Sequence, residues 1–167
     1  TKARDSACRS FTRRRTCVET ILIVEDSASE RRSLEHRLSH AGYRVISAEN
    51  GLEGFRLLQL ERPDLVVSDV MMPELDGYET CRRLREDPAT NFIPVVMVTA
   101  LGDQESRNKG LEAGANDFLT KPVDRTEVAI RAKNLLRVKE FEDFLKQHNE
   151  ILEAEVAKRT SQLKLAL

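Results

Sequence analysis

Each of four short, mostly apolar segments in this chain runs into a side chain that can bind a ligand. The segments and the residues after them are 20–24 with Glu25-Asp26, 64–68 with Asp69, 93–98 with Thr99-Ala100, and 116–120 with Lys121-Pro122. Strand-like segments that alternate with helical stretches of about ten residues predict βαβ crossovers and a parallel sheet. The carboxyl ends of parallel strands share one edge, where open α/β folds bind ligands. We therefore expect these side chains to meet.

The stretches between the apolar segments have helical character. Helices are predicted over 28–41, 51–60, 77–86 and 103–113. A glycine or proline, which commonly marks the end of a helix, follows each of them, at Gly42, Pro63, Pro88 and Gly114. The inner strand segments are continuously apolar, as is typical of strands covered by helices on both faces, whereas 43–46 is more mixed and is expected at an edge. The predicted fold is a doubly wound α/β sheet.

Composition excludes several classes of protein. The chain has 167 residues and a formal net charge of −1. This length suits one domain with an appendage, and no overall field favours nucleic acid or an anionic membrane. No apolar run approaches the roughly 20 residues of a membrane span. The three cysteines form no CxxC pair and show no metal-ligand spacing, so we expect a cytoplasmic protein. From the low net charge and the lack of a long apolar run, we expect no direct contact with nucleic acid or membrane.

The strand ends predict phosphoryl chemistry. Glu25, Asp26 and Asp69 would place three carboxylates in one cleft, where like charges repel unless a cation intervenes. Mg²⁺ prefers carboxylate oxygens and keeps several waters, and it can neutralise an incoming phosphoryl group. Asp69 would be the nucleophile and would form an aspartyl phosphate. Thr99 could donate its hydroxyl to a phosphoryl oxygen, and Lys121 supplies a flexible positive charge.

Taken in order, these motifs resemble the receiver domain of two-component response regulators. The resemblance covers about 19–137 and includes a Met-Pro-x-x-Asp-Gly segment at 72–77. It implies a five-stranded, flavodoxin-like parallel sheet and phosphorylation of Asp69 by a sensor histidine kinase or a phosphotransfer protein. It also implies no enzyme activity beyond Mg²⁺-dependent self-phosphorylation from a phosphodonor and self-dephosphorylation.

The resemblance also implies a metal site for Mg²⁺ or Mn²⁺. Asp26 and Asp69 would bind the ion directly, and the main-chain carbonyl of Met71 would complete the protein ligands. Glu25 would act mostly through water.

The same resemblance assigns a phosphoryl-binding and switching set: Thr99, Ala100, Lys121 and Phe118. Thr99 would move toward the phosphoryl group, and the ring of Phe118 would follow into the vacated space. The Lys121-Pro122 bond would be cis. Met71 and Leu101 lie where side chains flank the path of the hydrolytic water, and apolar side chains there predict slow loss of phosphate.

Residues 124–167 contain no Gly or Pro and predict one helix of about 66 Å at 1.5 Å per residue. Asp124 is the expected N-cap, with Glu127 at the third helical position. A helix this long should extend beyond a domain of this size. A heptad frame predicts a coiled-coil seam that favours a parallel homodimer. The seam residues are Leu145, Asn149, Leu152, Val156 and Leu163.

The segment 149–163 resembles the signalling helix that joins receivers to output domains. No output motif is present, so we expect a truncated regulator, and analogy favours a cyclic-di-GMP enzyme of the HD-GYP or GGDEF type. The alternative is a stand-alone dimeric receiver that relays phosphate or binds a partner protein. The predicted domains are a flexible basic arm at 1–18, a receiver at 19–137 and a coiled-coil signalling helix at 138–167. The first residue is Thr, which is consistent with a fragment.

Three rival functions fit this sequence less well. Phosphatases and phosphotransferases that resemble haloacid dehalogenases need a second Asp two residues after the nucleophile, where this chain has Met71. A receiver-like scaffold that is never phosphorylated would lack the acidic pair, the acceptor or the lysine, and this chain has them all. His148 could in principle be a phosphodonor, but the residues around it do not resemble those of a kinase.

Overall fold

The computed structural model describes residues 18–100, 102 and 104–166. Strands and helices alternate through this part of the chain. The strands are β1 (Thr20–Val24), β2 (Arg44–Ala48), β3 (Leu65–Asp69), β4 (Val95–Thr99) and β5 (Asp117–Thr120). The helices are α1 (Ala28–His40), α2 (Gly51–Glu61), α3 (Gly77–Glu86), α4 (Gln104–Ala113) and α5 (Glu127–Ala166).

The five strands form one parallel sheet in the order β2-β1-β3-β4-β5. This confirms the predicted doubly wound, flavodoxin-like fold, including the position of the mixed strand β2 at an edge. The register aligns the carboxyl ends of the inner strands, since Val24 pairs with Ser68 and Asp69 pairs with Val98. The residues that follow these strands therefore reach the same edge of the sheet.

Apolar side chains cover both faces of the sheet, as continuously apolar strands require. Along β1, Leu22 and Val24 face a core layer that also includes Leu58 of α2 and Leu84 of α3. The alternate β1 residues face a second layer, built with side chains of α1 and α5. The strand period of two thus divides one apolar run between two helical layers.

Two helix ends confirm the predicted glycine caps. Gly42 and Gly114 have φ angles of 99° and 100°, a region that glycine enters without steric cost. The start of α5 differs from the prediction. The Asp124 carboxylate accepts hydrogen bonds from the Thr126 N–H at 2.8 Å and the Thr126 hydroxyl at 2.7 Å. This local turn uses Asp124 before the helix begins, so α5 starts two residues later than expected, at Glu127.

The described residues divide into two units, 18–136 and 137–166. The first contains the sheet, and the second is helical throughout. None of the described helices is long and apolar enough to cross a bilayer. The predicted basic arm lies outside the described residues apart from Val18, and the predicted domain boundaries stay predictions.

Replacing Gly77 with Ala should destabilise the protein by about 1–3 kcal/mol, the usual cost of overpacking. A Cβ at Gly77 would lie 2.3 Å from the carbonyl oxygen of Asp69 and 2.9 Å from Cα of Val70. Both are backbone atoms and cannot move without shifting the end of β3. The unfolding free energy from urea titration measures the effect.

Gly102→Ala is the matched control, because among the described residues a Cβ there meets no atom closer than 3.9 Å. It should change the unfolding free energy by less than about 0.5 kcal/mol. Equal losses in the two variants would show that the close approach of α3 to Asp69 has no energetic consequence.

Candidate functional site

Asp69 is the last residue of β3, near the middle of the sheet, and its side chain is 5% exposed. One carboxylate oxygen, Oδ1, accepts the Met71 N–H at 3.3 Å. The other, Oδ2, lies 3.2 Å from Nζ of Lys121. The following loop closes on itself, because the Gly77 N–H donates to the carbonyl of Val70, the residue after β3, at 3.0 Å. Asp69 is thus held by a tight loop and faces a cation.

Glu25 follows β1 and is only 1% exposed. Its Oε1 accepts the Ser27 N–H at 3.1 Å, and its Oε2 lies 3.3 Å from Nζ of Lys121. Burial raises the pKa of the Glu25 carboxyl to about 8, and the charge of Asp69 and a hydrogen bond with Asp26 act in the same direction. These effects outweigh the Ser27 N–H and the Lys121 charge, which favour the ionised form.

Lys121 is the cation of this site. Its backbone N–H donates to the Thr99 carbonyl at 2.8 Å, which fixes the end of β5 beside β4. The Lys121-Pro122 bond is cis, as predicted. Its ammonium group contacts carboxyl oxygens of Glu25, Asp69 and Glu30. Burial alone would lower the pKa of Lys121, but hydrogen bonds to Glu30 and Asp69 and the charges of Asp69 and Glu25 raise it.

Three carboxyl groups are close enough to share one cation. Glu25, Glu30 and Asp69 each offer an oxygen within 4.8 Å of the other two. A compact set of carboxylate oxygens suits Mg²⁺ or Mn²⁺. Asp26 is exposed and, although it interacts with Glu25, it is not in this compact set. The predicted direct ligands, including the Met71 carbonyl, stay predictions.

Glu30 was not among the predicted site residues. This residue lies in the first turn of α1 and pairs with Lys121, 91 positions away in the chain. Its only sequence signal is an acid five residues after Glu25, at the start of the helix that leaves the site.

The predicted switch residues lie on neighbouring strands. Thr99 ends β4 and is buried, beside the strand that ends in Asp69. Ala100 follows it and is exposed. Phe118 pairs with Met97 across β4 and β5, and its ring packs directly on Gly110 of α4. A Cβ at Gly110 would lie 2.3 Å from that ring, so the missing side chain provides the space in which the ring sits.

Of the two positions predicted to tune dephosphorylation, only Met71 is described. Its side chain is 64% exposed, next to Asp69. Leu101 lies outside the described residues.

Comparison with known proteins decides the family. The sequence model of the response regulator receiver domain matches residues 21–133. That span contains β2 to β5, all of β1 except Thr20, and the strand-end residues described above. The chain belongs to the response regulator receiver family. Receivers of this family act in two-component signalling as phosphate acceptors rather than as enzymes, and they bind Mg²⁺ at an acidic site.

Relatives share the receiver but are often longer. The protein named probable transcriptional regulator ycf27 from Cyanophora paradoxa is 50% identical over 117 residues, which is 70% of this chain and 48% of that protein. This chain therefore spans about half the length of the ycf27 relatives it matches.

Two solved receivers have the same fold. The signal receiver domain of a histidine kinase from Syntrophus aciditrophicus is 45% identical, with a TM-score of 0.68 over 72% of this chain and 91% of that one. The receiver of sensor kinase PA1611 from Pseudomonas aeruginosa is 32% identical, with a TM-score of 0.67 over 72% and 98%. The latter holds a magnesium ion in its active-site cleft.

Without divalent cations, stability should fall as the pH rises from about 5 to 8. Glu25 holds its proton more tightly when folded, with a pKa raised from 4.5 to about 8. Its stabilising contribution is therefore complete below pH 4.5 and is lost as the pH approaches 8. Glu25→Gln keeps the shape of the side chain and removes the titration, so its stability should vary less with pH. Urea midpoints in the presence of a chelator measure both slopes.

Glu112→Gln, an exposed substitution on α4, is the control and should keep the wild-type slope. If Glu25→Gln kept that slope too, another group would be responsible for the pH dependence.

Proposed function

We propose that this receiver accepts a phosphoryl group on Asp69 from a sensor histidine kinase or a phosphotransfer protein. The observation that carries the proposal is the pairing of a buried, strand-end carboxylate with the Lys121 ammonium at 3.2 Å, beside a second buried acid, Glu25. A nucleophile that is fixed by a backbone N–H and faces a cation has the arrangement that phosphoryl transfer requires.

In the proposed reaction, an oxygen of Asp69 attacks phosphorus and forms a P–O bond. The bond from phosphorus to the donor breaks, and the donor leaves with the electron pair. The Met71 N–H and the Lys121 ammonium hold the carboxylate in place, and Lys121 then faces the negative oxygens of the product. Thr99 donates its hydroxyl to one of these oxygens, and Ala100 lines the same strand end.

Asp26, Asp69 and the Met71 carbonyl are the proposed direct ligands for Mg²⁺ or Mn²⁺, with Glu25 acting through water. A bound ion would neutralise charge on the phosphoryl group and on the acids around it. The compact carboxylate set of Glu25, Glu30 and Asp69 and the magnesium ion in the related Pseudomonas aeruginosa receiver support a cation at this edge of the sheet.

We infer that Thr99 and Phe118 carry the signal from the phosphoryl group to the surface formed by α4, β5 and the start of α5. The glycine beneath the Phe118 ring supports this role, because it allows the ring on β5 to pack directly against α4. The exposed, apolar Met71 offers no hydrogen bond to orient an attacking water, which supports a long-lived phosphoryl group. The matching role of Leu101 stays a prediction.

Asp69→Asn should abolish phosphorylation, because the amide is not a nucleophile of comparable strength. Incubation with a small acyl-phosphate donor and Mg²⁺, followed by intact-mass measurement, should show one phosphoryl adduct on the wild type and none on the variant.

Asp87→Asn is the matched control. Its side-chain oxygen, which accepts the Ala89 N–H at 2.9 Å, is retained in the amide, so the adduct should form at the wild-type level. An undiminished adduct in Asp69→Asn would assign the phosphate to another residue and reject the proposed function.

The long helix α5 supports a parallel homodimer. It continues to Ala166, and the described part after residue 137 leaves its large apolar side chains at least one-third exposed. Four of the five proposed seam residues are among them: Leu145, Leu152, Val156 and Leu163. The fifth, Asn149, is also exposed and would pair with its twin and fix the register.

Two classes of output fit this receiver. The resemblance of 149–163 to a signalling helix supports a cyclic-di-GMP enzyme of the HD-GYP or GGDEF type. The name of the Cyanophora relative points instead to a transcriptional output. A stand-alone dimeric receiver that relays phosphate is the remaining alternative. The coding sequence after Leu167 distinguishes these three.

Leu152→Lys should dissociate the proposed dimer, because it places two like charges on the seam. Leu165→Lys changes a more exposed leucine that lies off the seam and should leave the dimer intact. Sedimentation of the wild type and both variants, with and without phosphorylation, measures the difference.

A version that ends at Arg137 should be monomeric. A monomeric wild type at tens of micromolar would refute the dimer, and a dimer that survives truncation would place the interface on the receiver.

A further inference from the structure

Every hydrogen-bond donor of the Lys121 ammonium is matched by a carboxyl group. Lysine offers three N–H donors. Glu25 Oε2 lies at 3.3 Å and Asp69 Oδ2 at 3.2 Å, and Glu30 Oε2 is the third partner. A phosphoryl group that needs Lys121 must therefore displace one of the three.

Glu30 is the partner that can be displaced most easily. Glu25 is buried and is also held by the Ser27 N–H, while Asp69 is buried and held by the Met71 N–H. Glu30 is 47% exposed, and within the described part of the chain its carboxylate has Lys121 as its one hydrogen-bond partner. Beside this contact is a cleft of about 180 Å³, which gives the side chain room to withdraw.

We propose that Glu30 is a positioning residue that occupies Lys121 before phosphorylation and so restrains phosphorylation of Asp69. The inference rests on the proposed function of Asp69. The incoming group carries nearly two negative charges and three acceptor oxygens. It meets a lysine whose donors are already engaged, and it meets the additional negative charge of Glu30. Both effects oppose the transfer, and both end when the Glu30 carboxylate leaves Lys121.

Two other roles for Glu30 predict different results. Glu30 could act only through the helix dipole, which favours an acid in the first turn of a helix. In that case its replacement would not change the rate of phosphorylation. Glu30 could instead be a cation ligand together with Glu25 and Asp69, in which case its removal would slow phosphorylation. The direct contact with Lys121, which joins α1 to the end of β5, favours restraint over both.

The test compares Glu30→Gln with the wild type. The rate of phosphoryl adduct formation is measured by intact mass with a subsaturating acyl-phosphate donor, and Mg²⁺ affinity is measured by calorimetry. We expect phosphorylation to be roughly two- to fivefold faster, the effect of losing one partly exposed ion pair, with Mg²⁺ affinity nearly unchanged. An unchanged rate would overturn the proposal, as would a slower rate whether or not Mg²⁺ binding weakens.

Two further variants separate contact from charge and from folding. Glu30→Asp keeps the charge but is one methylene shorter, so a rate between those of the wild type and Glu30→Gln is expected. Glu35→Gln changes an acid on a different face of the same helix and should retain the wild-type rate of phosphorylation. Urea unfolding of each variant checks that stability is unchanged.

A second readout does not depend on phosphorylation. The labelling of Lys121 by an amine-reactive reagent at fixed pH, quantified by peptide mass, should increase in Glu30→Gln. If the wild type accepts no phosphate, the proposed function of Asp69 fails. The labelling measurement then tests the contact between Glu30 and Lys121 by itself. Unchanged labelling would overturn the restraint of Lys121 by Glu30.

Discussion

One ammonium group, that of Lys121, holds together the edge of the sheet on which this receiver depends. Its three partners come from the end of β1, the end of β3 and the first turn of α1, while its backbone is bonded to the end of β4. Without that cation, Glu25 and Asp69 would be two buried acids in mutual repulsion, and such groups are costly unless they are paired. The parallel sheet brings the acids together, and Lys121 makes their proximity tolerable.

The balance of charge between the acids and Lys121 also explains why a cation and a phosphoryl group would share one site. Three acids face one lysine, so the arrival of a phosphoryl group would leave a large excess of negative charge. A divalent cation restores the balance, and it also competes with the proton that the raised pKa of Glu25 favours. In the proposed reaction, cation binding, proton release and phosphoryl acceptance would thus be linked through the same few oxygen atoms.

The sequence predicted the sheet and the strand-end residues because both follow from simple periodicities. Continuously apolar segments specify strands between two helical layers, and parallel strands place Asp69 and Lys121 at one edge whatever the loops do. Glu30 could not be found in this way, because its position depends on how the turn after β1 directs α1. The late start of α5 has a similar cause, since the Asp124 side chain accepts hydrogen bonds from the N–H and the hydroxyl of Thr126, in the turn before the helix.

In the second unit, residues 137–166, the apolar side chains lie on two neighbouring stripes of the helix, so the heptad period alone does not assign all of them to one seam. Val138, Leu145 and Leu152 follow the proposed seam, while Phe144 and Ile151 lie seven residues apart on a neighbouring stripe. A two-stranded coiled coil covers a narrow seam and would leave the neighbouring stripe exposed. From Asn149 onward, Leu152, Val156 and Leu163 continue the proposed seam at heptad spacing, and in the proposed dimer the paired Asn149 amides would penalise any other register. In the proposed dimer, pairing would therefore be best defined in this distal half.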